Sequence, residues 1–488
     1  MAKTLNPIAA LLLSVALTLL RHGLQATLLP VHADMEGFSA IAIGWMSSSY
    51  FAGLVLGCVV APYAVLRAGH IHAFATLVSL GSASAILYPA LADPIAWAVI
   101  RFAYGFTIAG FYLIVESWLN EHATNENRDA LMSTYIIINL AAITGGQLLL
   151  TVIDPEGFTA FVLASVAVSL AVVPISMTRS QQPAPITFVH SRPMELYQIS
   201  PAAIVGSLFI RLANGTNWTL APLYARQVDL DKAGVAYFAS AIIFSGALAQ
   251  WPIGRLSDRM DRRYVLIGLA CASGIVATLI TELEPTQALP TIAFAGLLGF
   301  VSQPAYSIAV AHAFDHVESE SFVETSSGLL LANGIGSTIG LLVASVVMMR
   351  VGPSGLYATI AVMMFSLAAY IIFRIQVRER PSARLHTEFD LAGTAQVGGV
   401  LTPELLDKSS PHVVVPEYSP VPHVTPDPEA IAEAWETAWD GEEETTDETA
   451  SSAAEESGKD DASPAAADGP NEPSSDGAKA ADKDDTSR

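Results

Sequence analysis

The chain has 488 residues, of which 52% are hydrophobic and only 14% carry a charge, and its mean hydropathy is +0.45. Such a composition is too apolar for a soluble domain and indicates a membrane protein. The formal net charge of -22 belongs mainly to the last part of the chain, since residues 381–488 hold 25 acidic and 6 basic side chains; the rest is nearly neutral and offers no basic face for nucleic acid.

Twelve apolar segments have the length of about 20 residues that a helix needs to cross a bilayer. They lie near residues 7–30, 39–63, 71–92, 95–119, 129–152, 158–178, 199–225, 233–256, 264–282, 287–313, 322–349 and 355–375. The first segment continues through Arg21 and His22 without a convincing signal-peptidase site, so we interpret it as a retained helix.

These segments predict an all-α membrane protein with two bundles of six helices. The domains are then an N-terminal bundle (1–178), a polar linker (179–198), a C-terminal bundle (199–378) and an acidic tail (379–488). The tail is too polar to bury a core, so we expect it to be disordered. Within it, Pro428 to Trp439 has apolar residues at helical spacing, which is typical of a transient helix or of a docking motif for a cytoplasmic partner.

The distribution of basic residues predicts the orientation in the membrane. With both termini inside, three basic residues fall in outer loops, namely Arg226, Lys232 and Arg350, and twelve fall in inner loops and flanks. The inner ones are Lys3, Arg67, Arg128, Arg179, Arg192, Arg255, Arg259, Arg262, Arg263, Arg374, Arg378 and Arg380. By the positive-inside rule, termini, linker and tail are cytoplasmic, and we expect the protein in the bacterial inner membrane.

An internal repeat relates the two bundles at an offset of 194 residues. Asn139 corresponds to Asn333 and Gly146 to Gly340, and Gly105-Phe106 recurs as Gly299-Phe300. A repeat of this length in an apolar chain indicates two similar bundles with the functional site between them. We expect the small residues Gly105, Gly146, Gly336 and Gly340 to allow close helix packing, and Asn139 and Asn333 to hydrogen-bond between helices.

The loop after the eighth segment carries a family signature. Residues 254–263 read Gly-Arg-Leu-Ser-Asp-Arg-Met-Asp-Arg-Arg, which resembles the Gly-x-Leu-x-Asp-Arg-x-Gly-Arg-Arg loop of the major facilitator superfamily, with Asp261 in place of the second Gly. The first-half copy, Pro62 to His70, has lost the first Gly and the Asp, whereas most family members carry the stronger copy in that half.

A second motif, Arg101-x3-Gly105-x3-Ala109 in the fourth helix, is also similar to that family. Stretches such as Ser48-Ser49-Tyr50-Phe51 and Gly146-Gln147-Leu148-Leu149 resemble its narrower YcaD-like branch. The resemblance covers about residues 1–375. It implies a secondary transporter in which two bundles rock about a central site.

The loop signature predicts an inner gate. The carboxylate of Asp258, with Arg259 beside it, is placed to accept hydrogen bonds from the start of the fifth helix at Arg128. The alternative is a charged loop that only fixes topology. Glu116, buried in the fourth helix, is either a gate partner of Arg128 or a proton carrier, and the gate role is favoured.

Charges inside a membrane span cost roughly 3 kcal/mol each and tend to mark function. Arg21 and Arg211 lie near the middle of the first and seventh helices, and we expect them to face each other and bind an anionic group of the substrate. The alternative is that each binds within its own bundle. His22, Gln25, Asn214 and Trp218 are further candidates for the substrate site, and for Arg101 a structural role is at least as probable as a functional one.

The sequence has no metal-ligand spacing, no phosphate-binding loop and no nucleophile elbow, so we expect neither an enzyme nor a cofactor or metal. The predicted partners are a small organic solute, membrane lipid and protons, with Glu116 and His22 as proton carriers, and the protein is expected to be a monomer. Export is favoured over import. The alternative function is a membrane sensor or scaffold that signals through the acidic tail.

Overall fold

The apolar segments form long helices in the computed structural model, which describes residues 8–123, 128–177, 201–285, 287–315 and 322–377. At a few helix ends, including Arg128, only the backbone is described. The helices are α1 Ala9–Met35, α2 Ala40–Ala68, α3 His70–Ala90, α4 Pro94–His122, α5 Arg128–Leu148, α6 Thr159–Ser176, α7 Pro201–Gln227, α8 Lys232–Arg259, α9 Arg262–Leu283, α10a Ala288–Ser302, α10b Pro304–Phe314, α11 Phe322–Val351 and α12 Gly355–Val377. The predicted linker and acidic tail, including Pro428 to Trp439, lie outside the described residues.

Twelve membrane-spanning helices are confirmed within this part of the chain. Eleven spans are long and apolar enough to cross a bilayer, with α10a and α10b counted as one. The twelfth, α7, has 27 residues but is less apolar, because Arg211, Asn214 and Asn217 interrupt it. The tenth span was predicted as one helix; it is broken at Gln303 because Pro304 has no backbone N–H and its ring clashes with the preceding turn.

Side-chain caps begin several of the helices at short connections. Ser39 accepts a hydrogen bond from the backbone of Ala42 at the start of α2 (3.2 Å), and Asp231 does the same for Gly234 at the start of α8 (2.8 Å). These caps satisfy backbone donors that the first helical turn leaves free. The chain can therefore reverse direction within a few residues at both membrane faces.

Helix contacts divide the described helices into two bundles with the same internal arrangement. In the first bundle α1 packs on α5 and α6, α2 on α4, and α3 on α6; in the second, α7 packs on α11 and α12, α8 on α10a, and α9 on α12. The bundles meet through α2 with α11, α5 with α8, and α1 with α7. All of these residues belong to one compact unit, Met1–Ser409.

Glycine contacts give the exact register of the repeat. A methyl group at Gly146 of α5 would strike the backbone oxygen of Leu20 in α1, and one at Gly340 of α11 would strike that of Leu212 in α7. The fifth and eleventh helices are thus 194 residues apart, whereas the first and seventh are 192 residues apart. A shift of two residues turns a helix position by about 200°, so this difference matters for the side chains of α1 and α7.

Other predicted packing residues also lie at close helix approaches. A methyl group at Gly105 would strike the backbone of Tyr50 in α2, and one at Gly336 would strike the backbone of α7 at Leu208. Asn139 interacts with Tyr135 of its own helix rather than with a neighbouring helix. In the described part of the chain, Asn333 makes no hydrogen bond to another helix, so an interhelical role for the two asparagines has no contact to support it.

The hydrophobic core is continuous at one membrane face and divided at the other. We call the faces outer and inner after the orientation that the basic residues predict. At the outer ends of the helices, Leu29, Trp97 and Phe161 of the first bundle share one core with Leu220 and Tyr224 of the second. Towards the inner face the first bundle has its own core, and Ala203, Val310, Ala313 and Leu329 form a separate small cluster in the second bundle.

Candidate functional site

Arg21 is held inside the first bundle. Its side chain is 1% exposed, one guanidinium nitrogen donates to Ser84 Oγ of α3 at 2.8 Å, and the guanidinium lies 3.9 Å from the centre of the Tyr104 ring of α4. A cation over an aromatic face is a favourable arrangement. The side chain therefore points towards α3 and α4.

Arg101 belongs to the same buried group. It is 5% exposed, its guanidinium lies 4.8 Å from the centre of the Tyr50 ring, and its positive charge acts on Arg21. The sequence suggested that its stem reaches towards the outer face. Instead, α2 and α3 enclose it, and sequence reasoning missed its place beside Arg21 because helix rotation is not visible in the chain.

His22 and Gln25 continue this polar surface of α1. His22 Nδ1 lies 3.0 Å from the hydroxyl of Tyr104, and its ring is in contact distance of Tyr50. Gln25 is fully buried, and neither atom of its amide has a hydrogen-bond partner in the described structure. The first bundle thus contains a buried group of polar side chains from α1 to α4.

Arg211 in α7 points elsewhere than the sequence led us to expect. Its guanidinium lies 4.1 Å from the centre of the Tyr306 ring in α10b. Because α1 and α7 are 192 residues apart in register, the counterpart of Arg21 is Ala213 and not Arg211. The two arginines contact different bundles, which corresponds to the alternative in which each is held within its own.

The seventh helix does repeat the polar contacts of the first at other positions. Asn214, the counterpart of His22, donates from Nδ2 to the backbone oxygen of Ser302 at 2.9 Å. Asn217, the counterpart of Gln25, is likewise buried with no partner for its amide among the described residues. Trp218 is partly buried and packs against the core of the first bundle, so it crosses the interface between bundles.

Glu116 lies deep in the first bundle, near the inner end of α4. It is completely buried, and the hydroxyl of Tyr135 in α5 donates to its carboxylate at 3.3 Å. The side chain of Arg128, its predicted gate partner, is outside the described part of the structure. A carboxyl group among tyrosines is chemically suited to take up and release a proton.

The loop signature lies at the inner end of α8 and the start of α9. Asp258 is 37% exposed on its side chain and lies 3.6 Å from Arg262, one helical turn ahead, while Arg259 is exposed. Arg262 is completely buried and donates to Asp315 at the end of α10b at 3.0 Å. This ion pair was not predicted, since Asp315 lies 53 residues from its partner.

Asp261, the residue that departs from the family signature, caps α9. Its carboxylate accepts hydrogen bonds from the backbone and the guanidinium of Arg263 at 3.0 Å. Partial burial raises the pKa of Asp261, but these hydrogen bonds and the positive charge of Arg263 lower it by more, so its pKa lies below the ordinary value.

Polar contacts join the bundles in their outer halves. Asp34 at the end of α1 accepts a hydrogen bond from Gln227 at 3.2 Å and lies 3.8 Å from Arg226, both at the end of α7. Closer to the membrane centre, Ser48 of α2 donates to the backbone oxygen of Thr338 in α11 at 3.0 Å. With the shared core, these contacts seal the outer face.

Comparison with protein families assigns both halves of the chain to transporters. Residues 203–439 match the Major Facilitator Superfamily, and residues 12–156 match the family described as Sugar (and other) transporter. The chain is similar to the MFS-type transporter YcaD of Salmonella paratyphi B, with 25% identity over 363 residues, 74% of this chain and 94% of that protein. YcaD of Escherichia coli is also 25% identical, over 362 residues.

Solved structures share the fold. The nucleoside transporter NupG superposes with a TM-score of 0.66 at 12% identity, covering 76% of this chain and 99% of that one. A bacterial homologue of the human lysosomal transporter Spinster gives a TM-score of 0.60 at 16% identity, covering 77% and 99%. The matches in both halves, the similarity to YcaD and the two-bundle fold agree: the chain is a multi-pass membrane protein that belongs to the major facilitator superfamily of transporters.

Proposed function

We propose that this protein is a proton-coupled secondary transporter of a small organic solute, in which the two bundles alternately open the centre to each side of the bacterial inner membrane. The observation that carries the proposal is the closed outer face above a set of buried polar side chains. Asp34, Arg226 and Gln227 join the bundles there, while the apolar clusters of the inner ends are separate. Alternating access requires such contacts to break and reform.

The buried polar residues support a polar solute. Gln25, Asn214 and Asn217 lie on α1 and α7, the two helices through which the bundles also meet, and Trp218 adds an aromatic surface from the second bundle. Arginine side chains on the same helices favour an anionic group on the solute. Nucleosides belong among the compounds to be tested because the similar structure NupG is a nucleoside transporter.

Glu116 is the proton carrier that we propose. It is a buried carboxyl group with a tyrosine hydroxyl as its hydrogen-bond partner. His22, the other candidate, shares its surroundings with the positive charges of Arg101 and Arg21, which disfavour a further positive charge. Export is the direction that we propose, with both termini in the cytoplasm.

Flux in proteoliposomes tests the function directly. Radiolabelled monocarboxylates, sugar phosphates and nucleosides are loaded on either side, and accumulation is followed with and without a pH gradient. We expect one class to move against its gradient only when the pH gradient is present. Glu116→Gln should abolish this accumulation and retain solute exchange, whereas gradient-driven accumulation that persists in Glu116→Gln would contradict the role of Glu116.

A reversible cross-link at the outer face tests alternating access. Asp34→Cys with Gln227→Cys, in a background without the free Cys58 and Cys271, should lose flux on oxidation and regain it on reduction. Each single cysteine variant is the matched control and should be insensitive to oxidant. Full flux in the cross-linked protein would show that the outer contacts need not open.

A further inference from the structure

We propose that Arg21, Arg101 and Gln25 form an oxyanion-binding site inside the first bundle, which takes a carboxylate or phosphate group of the solute. The inference rests on the proposed transport function for the identity of the ligand. It differs from the sequence-based expectation, because the second cation comes from α4 of the same bundle and not from Arg211 of the other.

Two layers of side chains build this site. Arg21 contacts Ser84 and Tyr104 directly. Gln25 is one helical turn further towards the outer face on α1. Since residues three or four apart share a helix face, it lies on the same side of α1 as Arg21.

Arg101 and Tyr88 complete the second layer. Arg101 is one turn outward from Tyr104 on α4, and Tyr88 is one turn outward from Ser84 on α3. The positive charge of Arg101 acts on both Tyr88 and Arg21. The guanidinium groups and the amide of Gln25 therefore converge in the space between α1, α3 and α4.

Several polar atoms of this group have no partner in the described structure. They are Nε of Arg21, Nε of Arg101 and both amide atoms of Gln25, each on a side chain that is at least nine-tenths buried. A buried donor without an acceptor costs about 1–3 kcal/mol, and more when it is charged. Most of the atoms are donors, so an acceptor-rich ligand would satisfy them.

No carboxylate of the described chain pairs with either guanidinium. Glu116 is on the same helix as Arg101 but 15 residues away, which is roughly 22 Å along the axis. Asp93 stands at the outer start of α4, roughly 12 Å from Arg101. Two neighbouring positive charges in a membrane span require a negative charge, and an oxyanion with two acceptor oxygens supplies it in the geometry that guanidinium groups prefer.

Thermal unfolding of the purified protein measures anion binding without transport. Sodium phosphate and sodium acetate are compared with sodium chloride at equal ionic strength, so that only specific binding raises the midpoint. We expect at least one of the two anions to raise it by about 3 °C or more. Arg21→Gln and Arg101→Gln should each abolish the rise, and Arg255→Gln, which removes an exposed arginine at the inner end of α8, is the matched control.

A second variant keeps the test decisive if the glutamine variants fold poorly. Gln25→Glu places a carboxylate one turn from Arg21 and should act as an internal counter-ion. It should raise the unfolding midpoint in chloride and remove the response to phosphate and acetate. A lower midpoint together with an intact anion response would overturn the inference.

Other outcomes locate the error. Loss of the response in Arg211→Gln alone would place the anion between the bundles and overturn the site. A rise produced by phosphatidylglycerol but by neither soluble anion would assign the site to a lipid headgroup and not to a solute. If the anions bind as described but no solute moves in proteoliposomes, the transport proposal fails and the oxyanion site stands.

Discussion

Buried arginines occur in two regions of the molecule with opposite electrostatic surroundings. At the inner face, Arg262 lies against Asp315 at 3.0 Å and Arg263 against Asp261 at 3.0 Å. In the middle of the first bundle, Arg21 and Arg101 are equally buried, but their described neighbours are tyrosines and a serine.

The difference separates a structural role from a binding role. A buried cation with its carboxylate is complete, and removing one partner leaves an uncompensated charge that costs about 3–5 kcal/mol. A buried cation without a carboxylate carries that cost already. It is retained where a ligand or a coupling ion supplies the missing charge during function.

The largest effect is expected where the pairing is complete. Asp315→Asn removes the 3.0 Å partner of the buried Arg262 and leaves the more distant Asp258 at 3.6 Å. We expect the free energy of unfolding, measured by denaturant titration in micelles, to fall by about 3 kcal/mol. Asp258→Asn is the control and should cost about 1 kcal/mol or less, because Asp258 is partly exposed. If both variants lose the same amount, Asp315 is not the principal partner of Arg262.

The opposite sign is expected where the pairing is absent. Arg101→Met keeps an apolar chain of similar length and removes a buried charge, so the free energy of unfolding should rise by about 1–3 kcal/mol in the absence of added anions. Arg262→Met should instead lower it, because Asp315 would lose its partner. Equal losses in the two variants would show that the two regions do not differ.

The sequence predicted the architecture because the fold depends on simple quantities. Apolar length locates the spans and the repeat pairs the bundles, and both hold in the structure. The break at Pro304 was missed because its segment is apolar on both sides. The residues Arg21, His22 and Gln25 stood out as polar groups in a membrane span.

Their partners were not predictable in the same way. The repeat offset of 194 comes from α5 and α11, but α1 and α7 differ by 192, and this shift of two residues removes the equivalence of Arg21 and Arg211. The neighbours Ser84, Tyr104 and Arg101 depend on how α1 is rotated against α3 and α4. A single sequence contains no measure of that rotation.

The smallest expected effect concerns Asp261, which pairs with Arg263 at a partly exposed position. The pKa of Asp261 is lower in the folded protein than its ordinary value, which is about 3.9 in an unfolded chain. A carboxylate with a depressed pKa contributes stability that is complete above the unfolded pKa and is lost as the pH falls through the folded pKa.

Asp261→Asn isolates this charge, because asparagine is also a good helix cap. The variant should be less stable than the wild type by about 1 kcal/mol or less between pH 5 and 7. Below pH 4 the difference should shrink, since protonation removes the same charge from the wild type. Parallel unfolding titrations of the two proteins from pH 7 to pH 3 measure it. A difference that stays constant below pH 4 would mean that Asp261 stabilises α9 as a neutral cap, and the contrast between the two regions would then depend on Arg262 and Asp315 alone.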